Sequence, residues 1–276
     1  MSRRVRLDAE LVRRGLARSR GEAATLIEAG RVLVNGAAAS KPATQLTTDQ
    51  PIVVREDSED PGWASRGAHK LLGALEVFEP MGLTVAGRRA LDAGASTGGF
   101  TDVLLRRDVR EVVAVDVGYG QLVWSLQSDE RVHVFDRTNI RSIDTEVIGG
   151  AVDLVVSDLS FISLTLVLPA LMSVCRDDGD MVLMVKPQFE VGRENLGKNG
   201  VVRDPALHAS AVHGVTTAAW AGGWGTRALA PSPLPGPAGN VEYFCWLRTD
   251  APEPELAAAE AAVAAGPLAA TGGGGA

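Results

Sequence analysis

Leu91-Asp92-Ala93-Gly94-Ala95-Ser96-Thr97-Gly98-Gly99-Phe100 is the stretch that decides how this chain folds. An apolar strand over 89–91 runs into closely spaced glycines, which let a backbone turn sharply and pass near a ligand where a helix begins. The spacing is not the dinucleotide Gly-x-Gly-x-x-Gly, and no Gly-Lys-Ser/Thr follows to make a P-loop. A glycine-rich strand-to-helix turn also serves structural ends alone, so its meaning depends on its neighbours. The next apolar run, Glu111-Val112-Val113-Ala114-Val115-Asp116, predicts a strand over 112–116 that closes on a carboxylate. An acid about twenty residues after such a turn accepts the ribose hydroxyls of a bound nucleoside. NAD, FAD and S-adenosylmethionine all suit that pair of features.

Working outward, further strands are predicted over 132–135, 154–157, 181–185 and 241–247, alternating with helical segments. That alternation is the mark of an α/β fold with a parallel sheet, a Rossmann-like domain. Ligands of such sheets bind beyond the carboxyl ends of the strands. Asp158 ends the fourth strand, Lys186 ends the fifth, and Glu242 is expected to open the last. Lys70, in Ser65-Arg66-Gly67-Ala68-His69-Lys70, precedes the sheet in a helix expected to pack over its mouth. A lysine at the end of an apolar strand is costly to desolvate unless it is paired. Each of these residues alone reads as half of a structural ion pair; four of them beside a glycine loop read as a site. Asp136 and Asn139, after the third strand, stand where an adenine would be read, or else cap their loop.

Upstream the pattern changes. Leu7, Leu11 and Val12 recur at helical spacing, and Arg14-Gly15-Leu16 ends that helix. Ser19 with Glu22 predicts a capping box for a second helix over 20–29 that buries Ala23, Ala24 and Ile27. Residues 31–36 read as a strand entering an Asn35-Gly36 hairpin turn, with Ile52-Val53-Val54 closing a small sheet. Arg3, Arg4, Arg6, Arg13, Arg14, Arg18 and Arg20 face only Asp8 and Glu10 in the first twenty residues, although the whole chain has a formal net charge of −7. A local basic face can hold phosphate while the rest of a molecule stays acidic; the bland alternative is a solvated charged helix face.

The expected organisation is therefore a small α+β RNA-binding domain over 1–58, a linker over 59–64, the α/β domain over 65–250, and an Ala/Gly-rich tail over 251–276 with room for one short helix. No apolar run approaches the roughly 18–20 residues that span a bilayer, and the basic N-terminus lacks a signal-peptide core. Two distant cysteines, Cys175 and Cys245, exclude a disulfide framework and suit a reducing, cytoplasmic setting. His69, His133, His208 and His213 show no ligand spacing, so no metal is expected.

The first fifty residues resemble the RNA-binding module of small-subunit ribosomal protein four through Leu11–Leu16, Ser19-Arg20, Ala23, Leu26-Ile27, Gly30, Val32 and Val34-Asn35-Gly36. That resemblance implies that the seven arginines face RNA phosphates. Asp92–Phe100 is similar to the first motif of RNA 2′-hydroxyl methyltransferases, although close relatives often have Ala-Pro where Ser96-Thr97 stand here. Lys70, Asp158, Lys186 and Glu242 resemble the Lys-Asp-Lys-Glu tetrad of the FtsJ-like enzymes. With Asp116–Leu122, Asp158–Ser163, Val185–Gly192 and Pro233–Phe244, the chain resembles the TlyA family over about residues 3–248. Members carry a haemolysin label and are characterised as ribosomal RNA 2′-O-methyltransferases.

The resemblance implies S-adenosylmethionine as cofactor. Its site would comprise Asp92, Gly94, Ala95, Ser96, Thr97, Gly98, Gly99, Phe100, Asp116, Asp136, Asn139 and Phe161. It also implies ribosomal RNA of the small subunit, the large subunit or both as partner, with a cytidine as target. Lys186 would be the general base, while Asp158 and Glu242 orient the lysines. Two lysines and two carboxylates suit a sugar hydroxyl better than a base nitrogen. A non-catalytic RNA-binding protein would have no use for those strand-end charges. A haemolysin would need a membrane-active segment.

Overall fold

The computed structural model describes residues 4–17, 20–28, 30–55, 62–236 and 238–267. The chain forms two units, Met1–Gly62 and Trp63–Ala276. Ser19, expected to cap the second helix, lies outside the described residues.

In the first unit β1 (Arg4–Arg6), α1 (Leu7–Arg13), α2 (Arg20–Glu28), β2 (Val32–Val34), β3 (Ala37–Ala38), β4 (Gln45–Thr47) and β5 (Ile52–Val54) follow in order. Leu7, Leu11, Ala23, Ile27, Val32 and Leu46 are buried together; Ala24 is only half-buried. Asn35 and Gly36 both take positive φ (53° and 81°), the conformation of a tight hairpin turn. β2 pairs antiparallel with β3 and β5. A β1–β4 pair, which the sequence did not announce, forms a separate two-stranded sheet.

The second unit holds α3 (Ala68–Phe78), β6 (Arg89–Ala93), α4 (Gly99–Arg106), β7 (Glu111–Val115), α5 (Trp124–Gln127), β8 (Val132–Phe135), β9 (Val152–Ser157), α6 (Leu168–Val174), β10 (Cys175–Val185), α7 (Pro187–Glu190), α8 (Pro205–Ala221), β11 (Gly225–Pro231), β12 (Tyr243–Arg248) and α9 (Leu256–Ala264). Its seven-stranded sheet has the order β11-β12-β10-β9-β6-β7-β8. The five strands from β10 to β8 are parallel, whereas β12 runs antiparallel to β10 and β11. The α/β Rossmann-like class is as read from the sequence, but the sheet is mixed rather than wholly parallel. β11 was not predicted: its Gly-Thr-Arg-Ala-Leu-Ala-Pro lacks the β-branched density that marks the buried strands. Glu242 does not open β12; it stands one residue before it.

Successive residues of the central strands feed two cores. Leu91, Val113, Val115, Val155 and Leu183 pack with α6, α8 and α9, while Ala90, Val112, Leu154, Val156 and Met184 pack with α3 and α4. Burial on both faces is why these strands are apolar without alternation. The stretch beyond residue 250 is not all tail, because α9 places Ala259 and Val263 in the first of these cores.

Candidate active site

From β6 the chain winds outward through β7 to β8 and then returns to β9 on the other side of β6. The loops after β6 and β9 therefore diverge at the switch point, where a crevice must open. The first of them is the glycine loop. Gly94 and Gly98 have φ of +88° and +102°, and a Cβ at Gly98 would come within 2.3 Å of the Leu126 side chain. Ser96 is also left-handed (φ 47°), and its amide donates to Asp116 Oδ2 at 2.8 Å. Asp116 Oδ1 accepts from the Gly118 amide at 2.7 Å, and Asp136 Oδ2 accepts from the Gly120 amide at 2.8 Å. The two strand-end carboxylates thus pin the loop after β7, each oxygen keeping capacity for a further donor.

Asp92 lies beneath the glycine loop, fully buried. Thr101 donates to its Oδ2 at 2.7 Å, while Oδ1 has no hydrogen-bond partner among the described residues. Burial pushes its carboxyl up to about 7, reinforced by the negative charges of Asp158 and Asp116 and opposed by the Thr101 bond.

Across the crevice four charges form a chain. Helix α3 buries Leu71, Ala74, Leu75 and Phe78 along one face, which holds Lys70, in its first turn, at the mouth of the sheet. Lys70 Nζ lies 2.6 Å from Glu242 Oε2 and 3.6 Å from Asp158 Oδ2. Asp158 Oδ1 lies 2.6 Å from Lys186 Nζ, whose hydrogen bond goes to Ser160 Oγ at 2.8 Å. Lys70, Lys186 and Glu242 are all buried. Gly236 makes room for the pair at the far end, since a Cβ there would sit 2.6 Å from Glu242 Oε1. Lys70, Asp158 and Lys186 line one open cleft with Gly94–Thr97, Gly99 and Phe100.

The four expected charged residues thus come together, beside most of the expected loop. Asp92, Gly98, Asp116, Asp136, Asn139, Phe161 and Glu242 do not line the cleft. Asn139 accepts from the Arg141 amide at 3.0 Å and caps a short turn. Phe161 is 91 % exposed with φ +65°, its ring 5.5 Å from that of Phe189. Ser160, Ser65 and Arg66 also line the cleft, and the sequence suggested no role for them. Both hydroxyls and the arginine lie inside strings singled out from the sequence, but nothing in a serine's spacing distinguishes a loop cap from a site group. Cys175 and Cys245 sit in the sheet core, where burial pushes both thiols up to about 12. Among the described residues no three His, Cys, Asp or Glu side chains gather as for a metal, and no helix is long and apolar enough to cross a membrane.

In the first unit the basic residues are ordered by acids. Arg6 and Arg20 share the buried Asp8, each at 2.8 Å. Arg13 and Arg14 share the buried Glu10 at 2.6 and 2.7 Å. The Arg6 bonds hold the Asp8 carboxyl far below its usual range, and Arg13 foremost lowers that of Glu10 to about 2. Two guanidiniums on each carboxylate leave one positive charge in surplus per cluster. Arg4 is exposed, and Arg3 and Arg18 lie outside the described residues.

Comparison with known proteins places this geometry. The FtsJ-like methyltransferase family matches residues 63–249, and the S4 domain family matches residues 5–52. The 16S/23S rRNA (cytidine-2′-O)-methyltransferase TlyA of Mycobacterium tuberculosis is 60% identical over 249 residues, 90% of this chain and 91% of its own. Hemolysin A of Brachyspira hyodysenteriae is 34% identical over 87% of this chain and 98% of its own. A solved structure from Streptococcus thermophilus that carries the hemolysin label superposes with a TM-score of 0.75 at 37% identity, covering 96% of each chain.

Proposed function

This chain belongs to the TlyA family, an S4 domain joined to an FtsJ-like methyltransferase domain, and from that premise we propose that it methylates the 2′-hydroxyl of a cytidine in ribosomal RNA with S-adenosylmethionine as donor. The observation that carries the proposal is the Glu242–Lys70–Asp158–Lys186 chain of charges, three of which line the cleft beside the glycine loop with Glu242 buried behind Lys70.

The cofactor fits the residues present. Gly94 brings bare backbone to the cleft, since a Cβ there would come within 3.1 Å of the Asp158 carbonyl. The half-buried Asp116 keeps lone pairs for ribose hydroxyls, and Asp136 stands at the end of the neighbouring strand for the adenine side. Asn139 keeps its amide nitrogen for a base, its oxygen already accepting as a cap. When bound, S-adenosylmethionine supplies an electrophilic methyl group on a sulfonium.

A ribose hydroxyl is a poor nucleophile and must lose its proton as it attacks. Lys186 Nζ is the acceptor. Glu242 engages Lys70 a full ångström closer than Asp158 does, so the tight contact of Asp158 is left for Lys186. Asp158 orients the base, and Lys70 places a second positive charge on the cleft wall, where the substrate oxygen gathers charge. The paired arginines of the S4 unit supply RNA affinity; ordering them beforehand reduces what binding must immobilise. The substrate is ribosomal RNA of the small subunit, the large subunit or both, and acting on it makes the cytoplasm the working compartment.

Purified ribosomal subunits with labelled cofactor test this directly. One cytidine should gain the label and resist alkaline cleavage at its 3′ side. A 2′-deoxy target nucleotide should take up none; label on the deoxy substrate would move the reaction to the base and overturn the proposal.

A further inference from the structure

We infer that Ser160 is a positioning residue that aims the Lys186 nitrogen at the substrate, an inference that rests on Lys186 being the base. A lysine ammonium carries three hydrogens and turns freely about its last bond. Here one of those hydrogens is bonded to Ser160 Oγ at 2.8 Å, while Asp158 Oδ1 holds the nitrogen as an ion pair at 2.6 Å. These two contacts leave the side of the nitrogen toward the cleft, which Lys186 lines together with Asp158 and Ser160, open to substrate. Loss of the proton at that position leaves the lone pair where the hydrogen had been. The serine oxygen can accept in both protonation states, because a neutral amine still carries two hydrogens. With Asp158 alone, the amine would swivel about that one contact and its lone pair would sweep a cone.

The loop bearing Ser160 is fixed independently of Lys186. Glu190, at the end of α7, accepts from the Ser163 hydroxyl at 2.5 Å and from the Leu164 amide at 2.8 Å. The Phe161 ring packs on Phe189 of the same helix. The 159–164 segment is thereby tied to α7, which begins directly after Lys186 at the end of β10. Serine and lysine thus share one frame, which a hydrogen bond between two mobile groups would not have.

The test compares single-turnover methyl transfer on saturating ribosomal subunits for Ser160→Ala, Ser160→Thr and Lys186→Ala, with cofactor and subunit affinities measured in parallel. One oriented hydrogen bond corresponds to about a tenfold slower step for Ser160→Ala, with both affinities within twofold of the parent (order of magnitude). Ser160→Thr, which restores the acceptor, should recover most of the rate. A full rate in Ser160→Ala overturns the inference while leaving the base in place. A normal rate with weakened subunit affinity also overturns it, making Ser160 an RNA contact. A near-normal rate in Lys186→Ala removes the base assignment itself, and the two failures are read from different variants.

Discussion

The two edges of the seven-stranded sheet each carry a network of buried charge, yet they are built differently. At the carboxyl edge, lysines meet carboxylates on the wall of an open cleft. At the amino edge, arginines do the pairing and are spent on it. Asp180, nearly fully buried, accepts from the Trp246 indole at 2.6 Å, from Arg248 at 3.0 Å and from Arg88. Arg89 pairs with Glu111 and donates to the carbonyls of Gly150 and Ile148 at 2.6 and 2.5 Å. A guanidinium is a planar fork that stays protonated and satisfies several acceptors at once, which suits a permanent brace. A lysine offers one compact nitrogen that can give up a proton. The residue chosen to carry the charge, rather than the presence of buried charge, separates the edge that holds the sheet from the edge proposed to do chemistry.

The largest effect is expected at Lys186. Removing a general base lowers turnover by about 10²–10⁴-fold, and Lys186→Ala should do so with the melting temperature and S-adenosylmethionine affinity close to the parent. An unchanged rate in labelled-methyl transfer would dissolve the distinction between the edges. Asp180→Ala should give the mirror image. Stripping a buried carboxylate from two arginines and an indole costs about 3 kcal/mol or more, read as a lowered denaturation midpoint, with the activity of the molecules that remain folded nearly intact.

Asp92 sharpens the contrast from within the catalytic edge. Its carboxyl, raised to about 7, keeps a proton in the folded state that the unfolded chain has lost above its ordinary value. Stability should therefore fall as pH rises from about 4 to 7, by up to about 1.4 kcal/mol per unit, and level off above. Asp92→Asn should flatten that decline; denaturation series at pH 5 and 8 will report it, and an unchanged slope would assign the proton elsewhere. Arg13→Ala supplies the mildest perturbation, belonging to neither edge. Its guanidinium is 60 % exposed and the buried Glu10 keeps Arg14 at 2.7 Å, so the melting temperature should fall less than for Asp180→Ala. The log–log salt dependence of RNA binding should lose about one unit of slope. A constant slope would mean that Arg13 serves Glu10 alone.

Much of this was legible in the chain. The apolar runs over 112–115, 154–156 and 181–185 read as strands because helical segments alternate with them, and each stops at a polar residue. β11 escaped because its edge position next to β12 asks little of its side chains. The S4 arginines were countable, but their partners were not: Asp8 lies twelve residues from Arg20 and collects it only once α1 and α2 pack.

The sequence by itself determined the strand-and-helix alternation, the two units and the identity of the four charged residues, because burial pattern, turn chemistry and residue type are local properties. Tertiary structure alone decided how those charges are connected. Lys70 meets Glu242 across 172 residues and Lys186 meets Ser160 across 26. Which carboxylate each lysine engages at 2.6 Å depends on how α3 and the loops after β9 and β10 pack over one edge of the sheet. Hydrogen bonds are made within about 3 Å, a distance that spacing along a chain does not encode.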